Sequence, residues 1–318
     1  MSLIEKAVQR LDQLKQAGAE PHADQLVPPE PVMAPRAPKP AVTQPSIAEV
    51  KEAASKVMWG ATSARSVEID LDRLMKAGMV TPDEPRTAIA EEYRVIKRPL
   101  IRNAQGRGAA AVANGNLIMV TSAMPGEGKS FNAINLAMSI AMELDHTVLL
   151  VDADFSRPTI LPRLGLPPEK GLMDVLVGDV SDLADVMLRT NVEKLSILPA
   201  GMAHQRATEL IASDAMNRML DEMASRYAER IIIFDSPPLL ATTEARVLAT
   251  HLGQVLVVVE AGRTTHATVK QALTTIESCP VKLLVLNKAS ESGRGGFYGY
   301  GYGYGYGYGS ESRPDAAA

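Results

Sequence analysis

Cysteine and long apolar runs are scarce in this sequence. Cys279 is the only cysteine in 318 residues, so no disulfide can form within the chain, and a reducing environment is expected. No run of 18 or more apolar residues occurs, and Met1 does not begin a basic and then apolar leader. We therefore expect a soluble chain that would need a partner or an amphipathic segment to associate with a membrane.

Strong net charge is also missing. The formal charge is −4 with a pI near 5.8, so nothing in the overall balance favours nucleic acid as a partner. Apolar residues make up 46% of the chain, which is ample for a buried core. The length suits one domain with extensions, or two small domains.

Aromatic residues are few, yet most of the tyrosines lie together. Six of the eight alternate with glycine in "GGFYGYGYGYGYGYGSES": Tyr298, Tyr300, Tyr302, Tyr304, Tyr306 and Tyr308. Glycine has the most backbone freedom to lose, and every second residue lacks a side chain to bury. Residues 291–318 are therefore predicted to form a flexible tail. Self-association and stacking on nucleic-acid bases are alternative uses of such a segment.

The N-terminal part reads as a helix followed by a spacer. In "MSLIEKAVQRLDQLKQAG", residues 1–18, Ser2 and Glu5 have capping-box spacing and the apolar residues fall on one face. This helix either packs on its own core or docks on a partner. Residues 19–65 form a linker, with eight prolines between 21 and 45. Two shorter helices are predicted next: one that ends at Gly78, and "RTAIAEEYRVIKRPL", which is expected to stop at Pro99.

Residues 66–290 are predicted to be the folded domain, with its core from about 116 to 288. Five apolar, β-rich runs occur there: "NLIMVTSA", "TVLLVDAD", "RIIIFDSP", "QVLVVVEA" and "KLLVLNK". A shorter run, "KLSILPAG", lies between the second and third, and helical stretches separate most of them. Apolar strands without alternation indicate an α/β fold, with a mostly parallel central sheet and helices on both faces.

The first strand leads into a phosphate-binding loop, "SAMPGEGKSFNAINLA". Gly126, Gly128, Lys129 and Ser130 match the second half of a Walker A motif, whose backbone N–H groups cradle phosphates. Ala123 stands where that motif usually has its first glycine. An ordinary strand–helix turn would not require the Lys-Ser pair, so a P-loop NTPase fold and ATP binding are predicted. The expected nucleotide-binding residues are Pro125, Gly126, Glu127, Gly128, Lys129, Ser130 and Phe131.

Acidic residues end two of the predicted strands. Asp152 and Asp154 follow one strand and Asp235 ends another, at the Walker B position. The carboxyl ends of parallel strands share one edge of the sheet, where ligands bind. Three carboxylates would repel one another there unless a cation joined them, and Mg²⁺ prefers oxygen ligands. We predict a Mg²⁺ site formed by Ser130, Asp152, Asp154 and Asp235.

Together these motifs resemble those of bacterial tyrosine kinases. "VLLVDADFSRP" is similar to that family's second Walker A-type motif, and a tyrosine-rich tail is another of its features. "EEYRVIKRP" is similar to its E-x-x-R-x-x-R subunit-contact motif at Glu91 and Arg94, with Lys97 in place of the last arginine. The whole pattern looks most like the exosortase-associated autokinases of exopolysaccharide loci.

The resemblance implies an ATP- and Mg²⁺-dependent autokinase that phosphorylates its tail tyrosines and regulates exopolysaccharide polymerisation and export. The reach of the tail permits transfer in cis, whereas the implied subunit contact favours transfer in trans. Lys129, Asp152, Asp154 and Asp235 would be catalytic. Asp152 is the favoured base, although the sequence does not decide between the aspartates. Asn287 resembles a position that recognises the nucleotide base, and Arg157 is a weaker candidate for charge stabilisation.

The same resemblance implies the partners. It suggests a cytoplasmic enzyme that a transmembrane chain-length co-polymerase recruits to the inner membrane. Its own subunits would form a ring-like homo-oligomer through Glu91, Arg94 and Lys97, and a tyrosine phosphatase would reset the tail. No nucleic-acid partner is expected.

Partitioning and cell-division-site ATPases are the main alternative. They share the sheet, but they carry a signature lysine where this chain has Met124, and they lack a tyrosine cluster. A nucleic-acid-binding Tyr/Gly protein would explain the tail, but it would leave the phosphate loop and the carboxylates without a use.

Overall fold

The computed structural model describes residues 65–108, 112–226 and 229–289. The predicted N-terminal helix, the proline-rich linker and the tyrosine tail lie outside these residues, so those three predictions stay predictions. Within the three ranges, no helix combines the length and the apolar character needed to cross a membrane.

One sheet organises the described residues, with strand order β1-β4-β5-β3-β6-β2-β7-β8. Every neighbouring pair is parallel except β4 and β5, which confirms the predicted mostly parallel α/β sheet. The strands are β1 (Arg65–Val67), β2 (Leu117–Ser122), β3 (Thr147–Asp152), β4 (Leu188–Thr190), β5 (Leu195–Leu198), β6 (Arg230–Asp235), β7 (Gln254–Glu260) and β8 (Val281–Asn287).

Helices cover both faces of this sheet. In β2, Ile118 and Val120 belong to the core on one face, whereas Leu117 and Met119 belong to the core on the other. Because both faces are buried, the strands are apolar without alternation. The helices are α1 (Leu71–Lys76), α2 (Ala88–Ala104), α3 (Lys129–Ala141), α4 (Ile160–Leu164), α5 (Leu172–Val177), α6 (Ala207–Ile211), α7 (Asp214–Arg226), α8 (Glu244–Ala249) and α9 (His266–Thr274).

The prediction that Pro99 ends a helix is wrong, because α2 continues through it to Ala104. A proline inside a helix costs about 3 kcal/mol, through a lost hydrogen bond and a steric clash. Leu100 and Ile101 follow it directly and are buried in the core that α2 shares with α3. Burying two such side chains contributes about 1.5–3 kcal/mol each, which is enough to offset the proline.

Candidate active site

The phosphate loop connects the buried strand β2 to α3, which begins at Lys129. Gly126 and Gly128 have φ angles of +88° and +102°, in the region that favours glycine. A Cβ atom on Gly128 would lie 2.1 Å from Asn287 Nδ2, so space also requires glycine there. Ala123 is fully buried and is not among the described non-glycine residues with positive φ, so alanine fits that position.

Three successive carbonyl oxygens of the loop accept hydrogen bonds from side chains beyond it. The pairs are Lys288 Nζ with Gly126 O (2.8 Å), Asn287 Nδ2 with Glu127 O (2.8 Å) and Asn132 Nδ2 with Gly128 O (3.0 Å). In a planar trans peptide, the carbonyl and the next N–H point in opposite directions. Fixing these carbonyls therefore also fixes the following N–H groups, the type of group that binds phosphate in such loops.

The acidic strand ends lie beside this loop. Asp152 and Asp235 are register partners at the ends of the neighbouring strands β3 and β6. The Lys129 ammonium lies 2.7 Å from Asp154 Oδ2 and 3.9 Å from Asp235 Oδ1. In the structure, the cation that lies between the carboxylates of Asp154 and Asp235 is therefore the loop lysine, Lys129.

Asp152 is enclosed by backbone donors. Its carboxylate accepts hydrogen bonds from the N–H groups of Asp154 (3.2 Å), Thr159 (2.9 Å) and Ile160 (3.0 Å). Burial, together with the negative charge of Asp235, raises the pKa of Asp152 to about 7, although the three N–H groups oppose the change. Burial likewise raises the pKa of Asp235 to about 6, against the opposing charge of Lys129.

The residues present fit a Mg²⁺ ion that is held together with phosphates. Among the described residues, no group of three or more His, Cys, Asp or Glu side chains is arranged to hold a metal by itself. Asp235 Oδ1, however, is buried and has no hydrogen-bond partner in that part of the chain. The Thr159 hydroxyl donates to Ser130 Oγ at 2.8 Å and lies 3.5 Å from Asp235 Oδ2. Mg²⁺ commonly uses one or two protein oxygens, with phosphates and water completing its shell.

A cavity of about 390 Å³ opens at this edge of the sheet. Lys129, Ser130 and Asp154 line it, whereas Asp152 and Asp235 do not. The other lining residues are Pro125, Gly126, Gly128, Ser156, Arg157, Thr159, Arg163, Pro237, Pro238, Ala241 and Thr242. The cavity thus has the phosphate loop on one side and the segments after β3 and β6 on the other.

Three side chains that the sequence predicts to bind the nucleotide do not line the cavity and make other contacts instead. Glu127 is buried and accepts hydrogen bonds from the Met124 N–H and the Thr264 hydroxyl. Phe131 packs against the core, and the Asn287 amide holds the loop carbonyl described above. In these positions the three side chains support the conformation of the phosphate loop.

The proposed subunit-contact motif lies on α2, and its members face different surroundings. Glu91 and Arg94 form an ion pair with side chains 57% and 39% exposed. Lys97 is only 3% exposed, and its ammonium lies 2.6 Å from Ser139 O and 2.8 Å from Glu143 Oε1. Because the Lys97 ammonium is already bonded within its own subunit, Lys97 is not part of the proposed subunit contact.

Sequence reasoning missed Thr159, Asn132 and Lys288. Thr159 follows the second acidic motif without a distinguishing pattern, and Asn132 reads as an ordinary helix residue. Lys288 had one signal, because it adjoins Asn287 at the end of β8.

Comparison with known proteins shows which family model, relatives and solved structures this chain resembles. The AAA domain family AAA_31 matches residues 115–288. Tyrosine-protein kinase YwqD of Bacillus subtilis (strain 168) is 31% identical over 229 residues, which span 71% of this chain and 92% of that protein. The succinoglycan biosynthesis transport protein ExoP of Rhizobium meliloti (strain 1021) is 32% identical over 223 residues, 69% of this chain but 27% of that protein. The kinase domain of Escherichia coli tyrosine kinase ETK has 28% identity and a TM-score of 0.51, covering 60% of this chain and 72% of that chain.

The parallel sheet, the phosphate loop and the acidic strand ends define a P-loop NTPase-like protein with an AAA domain. More particularly, the chain belongs to the bacterial tyrosine kinase family, so its enzyme class is protein-tyrosine kinase.

Proposed function

We propose that the chain is an ATP- and Mg²⁺-dependent autokinase that phosphorylates the tail tyrosines of a neighbouring subunit. The observation that carries the proposal is the position of the two residues that lead into the tail. Asn287 and Lys288, the end of β8 and the residue after it, donate hydrogen bonds to the phosphate loop itself. The 21 residues from Asn287 to Tyr308 have a reach of about 25 Å. The acceptor phenols are thus tethered within range of this subunit's site and of a neighbour's.

The residues divide the work of phosphoryl transfer. Bound ATP supplies the phosphoryl group, and the Mg²⁺ bound with it neutralises phosphate charge. Lys129 compensates charge on the transferred group, and Ser130 with Asp235 holds the metal. Asp152 is the proposed base, since a pKa near 7 suits proton acceptance at neutral pH. Asp154 is the second candidate, because it lines the cavity whereas Asp152 does not.

Transfer between subunits is tested by mixing two inactive forms of the chain. Lys129→Met keeps its tail but loses the loop lysine, whereas replacing the six tail tyrosines with Phe keeps the site but removes the acceptors. With Mg·ATP, the mixture should label the Lys129→Met chain on tyrosine, while each variant alone stays unlabelled. Lys270→Met, at an exposed position on α9, is the matched lysine control and should label like wild type. A silent mixture beside a labelled wild type would show transfer within one subunit.

Glu91 and Arg94 are the proposed subunit contact. As an isolated exposed pair they would contribute only about 0.2–0.5 kcal/mol. Exchanging them, as Glu91→Arg with Arg94→Glu, keeps an opposite-charge pair on α2 but reverses the charges that a neighbour meets. ATP binding should persist in calorimetry, while the assembly mass in light scattering and the tail labelling both fall.

The ion pair of the exposed Arg65 with the partly buried Glu169 offers a control for that exchange, because it lies outside α2. Exchanging its two charges should leave the mass unchanged. If the exchange on α2 also leaves the mass unchanged, under conditions where wild type assembles, the pair is an ordinary surface pair.

The biological setting that we propose is control of exopolysaccharide polymerisation and export. Its support is the similarity to ExoP, which is named for succinoglycan biosynthesis and transport, of which this chain matches 27%. We propose that a separate transmembrane co-polymerase partners this kinase at the inner membrane, and that a phosphatase reverses the labelling.

A further inference from the structure

Helix α2 reaches the phosphate loop through a buried chain of hydrogen bonds. Tyr93 is 3% exposed, and its hydroxyl donates to Asn132 Oδ1 at 2.9 Å. Asn132 is 2% exposed and contacts the Gly128 carbonyl twice, because its Nδ2 and its backbone N–H each donate to Gly128 O at 3.0 Å.

The Tyr93 hydroxyl holds the Asn132 amide in the orientation that the Gly128 carbonyl requires, because this carbonyl only accepts hydrogen bonds and the hydroxyl is bonded to the opposite end of the amide. An amide has one accepting end and one donating end. While the hydroxyl donates to Oδ1, Nδ2 is the end directed at Gly128. A reversed amide would place Oδ1 against the Gly128 carbonyl, and two acceptors cannot form a hydrogen bond.

The Gly128 carbonyl in turn sets a donor of the phosphate site. It belongs to the same peptide unit as the Lys129 N–H, which therefore points away from Asn132. This N–H opens α3, at a helix start of the kind that binds anions. We propose that Tyr93 is a positioning residue for ATP, which acts through Asn132 to hold the Gly128–Lys129 peptide in its phosphate-binding orientation. The inference rests on the proposed use of ATP.

Tyr93→Phe removes the hydroxyl and keeps the ring. The full-length variant should bind ATP about fivefold more weakly in calorimetry, the scale of one net hydrogen bond. Since a misplaced N–H weakens ground state and transition state alike, KM for ATP in autophosphorylation should rise similarly while kcat changes less than twofold. Asn132→Ala should weaken ATP binding too, and adding Tyr93→Phe to it should have little further effect.

Thr190→Val is the matched control, since the Thr190 hydroxyl, at the end of β4 and away from the loop, donates to the carbonyls of Val192 and Leu195. It should leave ATP affinity unchanged. Wild-type affinity in Tyr93→Phe, or an equal loss in Thr190→Val, would overturn the proposal. Fully additive effects of Tyr93→Phe and Asn132→Ala, measured on variants that thermal denaturation shows to be folded, would overturn it as well. Failure of the wild type to bind ATP would instead refute the proposed function.

Discussion

Replacing Lys129 with methionine is expected to weaken ATP binding about a hundredfold, the loss typical of charge-assisted hydrogen bonds, and to abolish tyrosine labelling. The ammonium lies 2.7 Å from Asp154 and 3.9 Å from Asp235. Methionine would remove the positive charge that offsets both carboxylates, of which Asp154 lines the cavity that phosphates would enter. Calorimetry with ATP and anti-phosphotyrosine detection after incubation with Mg·ATP measure the two losses.

The matched control for this loss is again Lys270→Met, which removes an exposed lysine from α9. It should retain both ATP binding and labelling. Thermal denaturation without nucleotide shows whether Lys129→Met is folded, so that lost binding is not lost structure. Tyrosine labelling of a folded Lys129→Met chain at the wild-type rate would refute the proposed role of the loop.

Phosphorylation of the tail is expected to dissolve the proposed homo-oligomer. Each phosphotyrosine adds about −1.5 to −2 charges at neutral pH, so six would add about −9 to −12 to each subunit. The tail follows the residues bonded to the phosphate loop, so under the proposed transfer in trans this charge would collect where the tail of one subunit meets the site of its neighbour. Salt screens repulsion beyond about 8–10 Å, but tethered tails can approach more closely than that.

The variant with all six tail tyrosines changed to Phe should bind ATP and stay assembled, whereas wild type separates with Mg·ATP. Sedimentation measures both, with the cytosolic segment of the co-polymerase added if assembly requires it. Tyr227→Phe, a single change outside the tail, should separate like wild type. Equal dissociation of wild type and the six-Phe variant would show that nucleotide, and not tail charge, controls the assembly.

The central strands were predictable because each carries its own evidence. β2, β3, β6 and β7 are long apolar runs, and burial on both faces explains why they lack alternation. β8 is also an apolar run, but it is the edge strand, and its Leu284 and Leu286 are 55% and 65% exposed. The three-residue strands β1 and β4 escaped prediction, since such short strands depend on distant partners, as in the pairing of Arg65 with Leu188. The prediction that Pro99 ends the helix was wrong because the free-energy cost of a proline inside the helix is smaller than the free energy gained by burying Leu100 and Ile101.

The motifs of the site could be predicted from the sequence, but the side-chain contacts that hold the phosphate loop could not. The spacing of Gly128, Lys129 and Ser130 identifies the loop, and the strand ends place Asp152 opposite Asp235. No pattern reveals that side chains from α3 and from the end of β8 bond to three successive loop carbonyls, because those contacts join distant parts of the chain. The burial of Lys97 beside Glu143 is likewise a tertiary contact that the helix motif alone does not show.

Phosphopeptide mapping of the purified full-length chain after incubation with Mg·ATP tests the central claim most directly. We expect phosphate on Tyr298, Tyr300, Tyr302, Tyr304, Tyr306 and Tyr308 in wild type, and on none of them in Lys129→Met incubated alone. ATP hydrolysis by wild type without any phosphotyrosine would contradict the account and favour a positioning ATPase of the partitioning type.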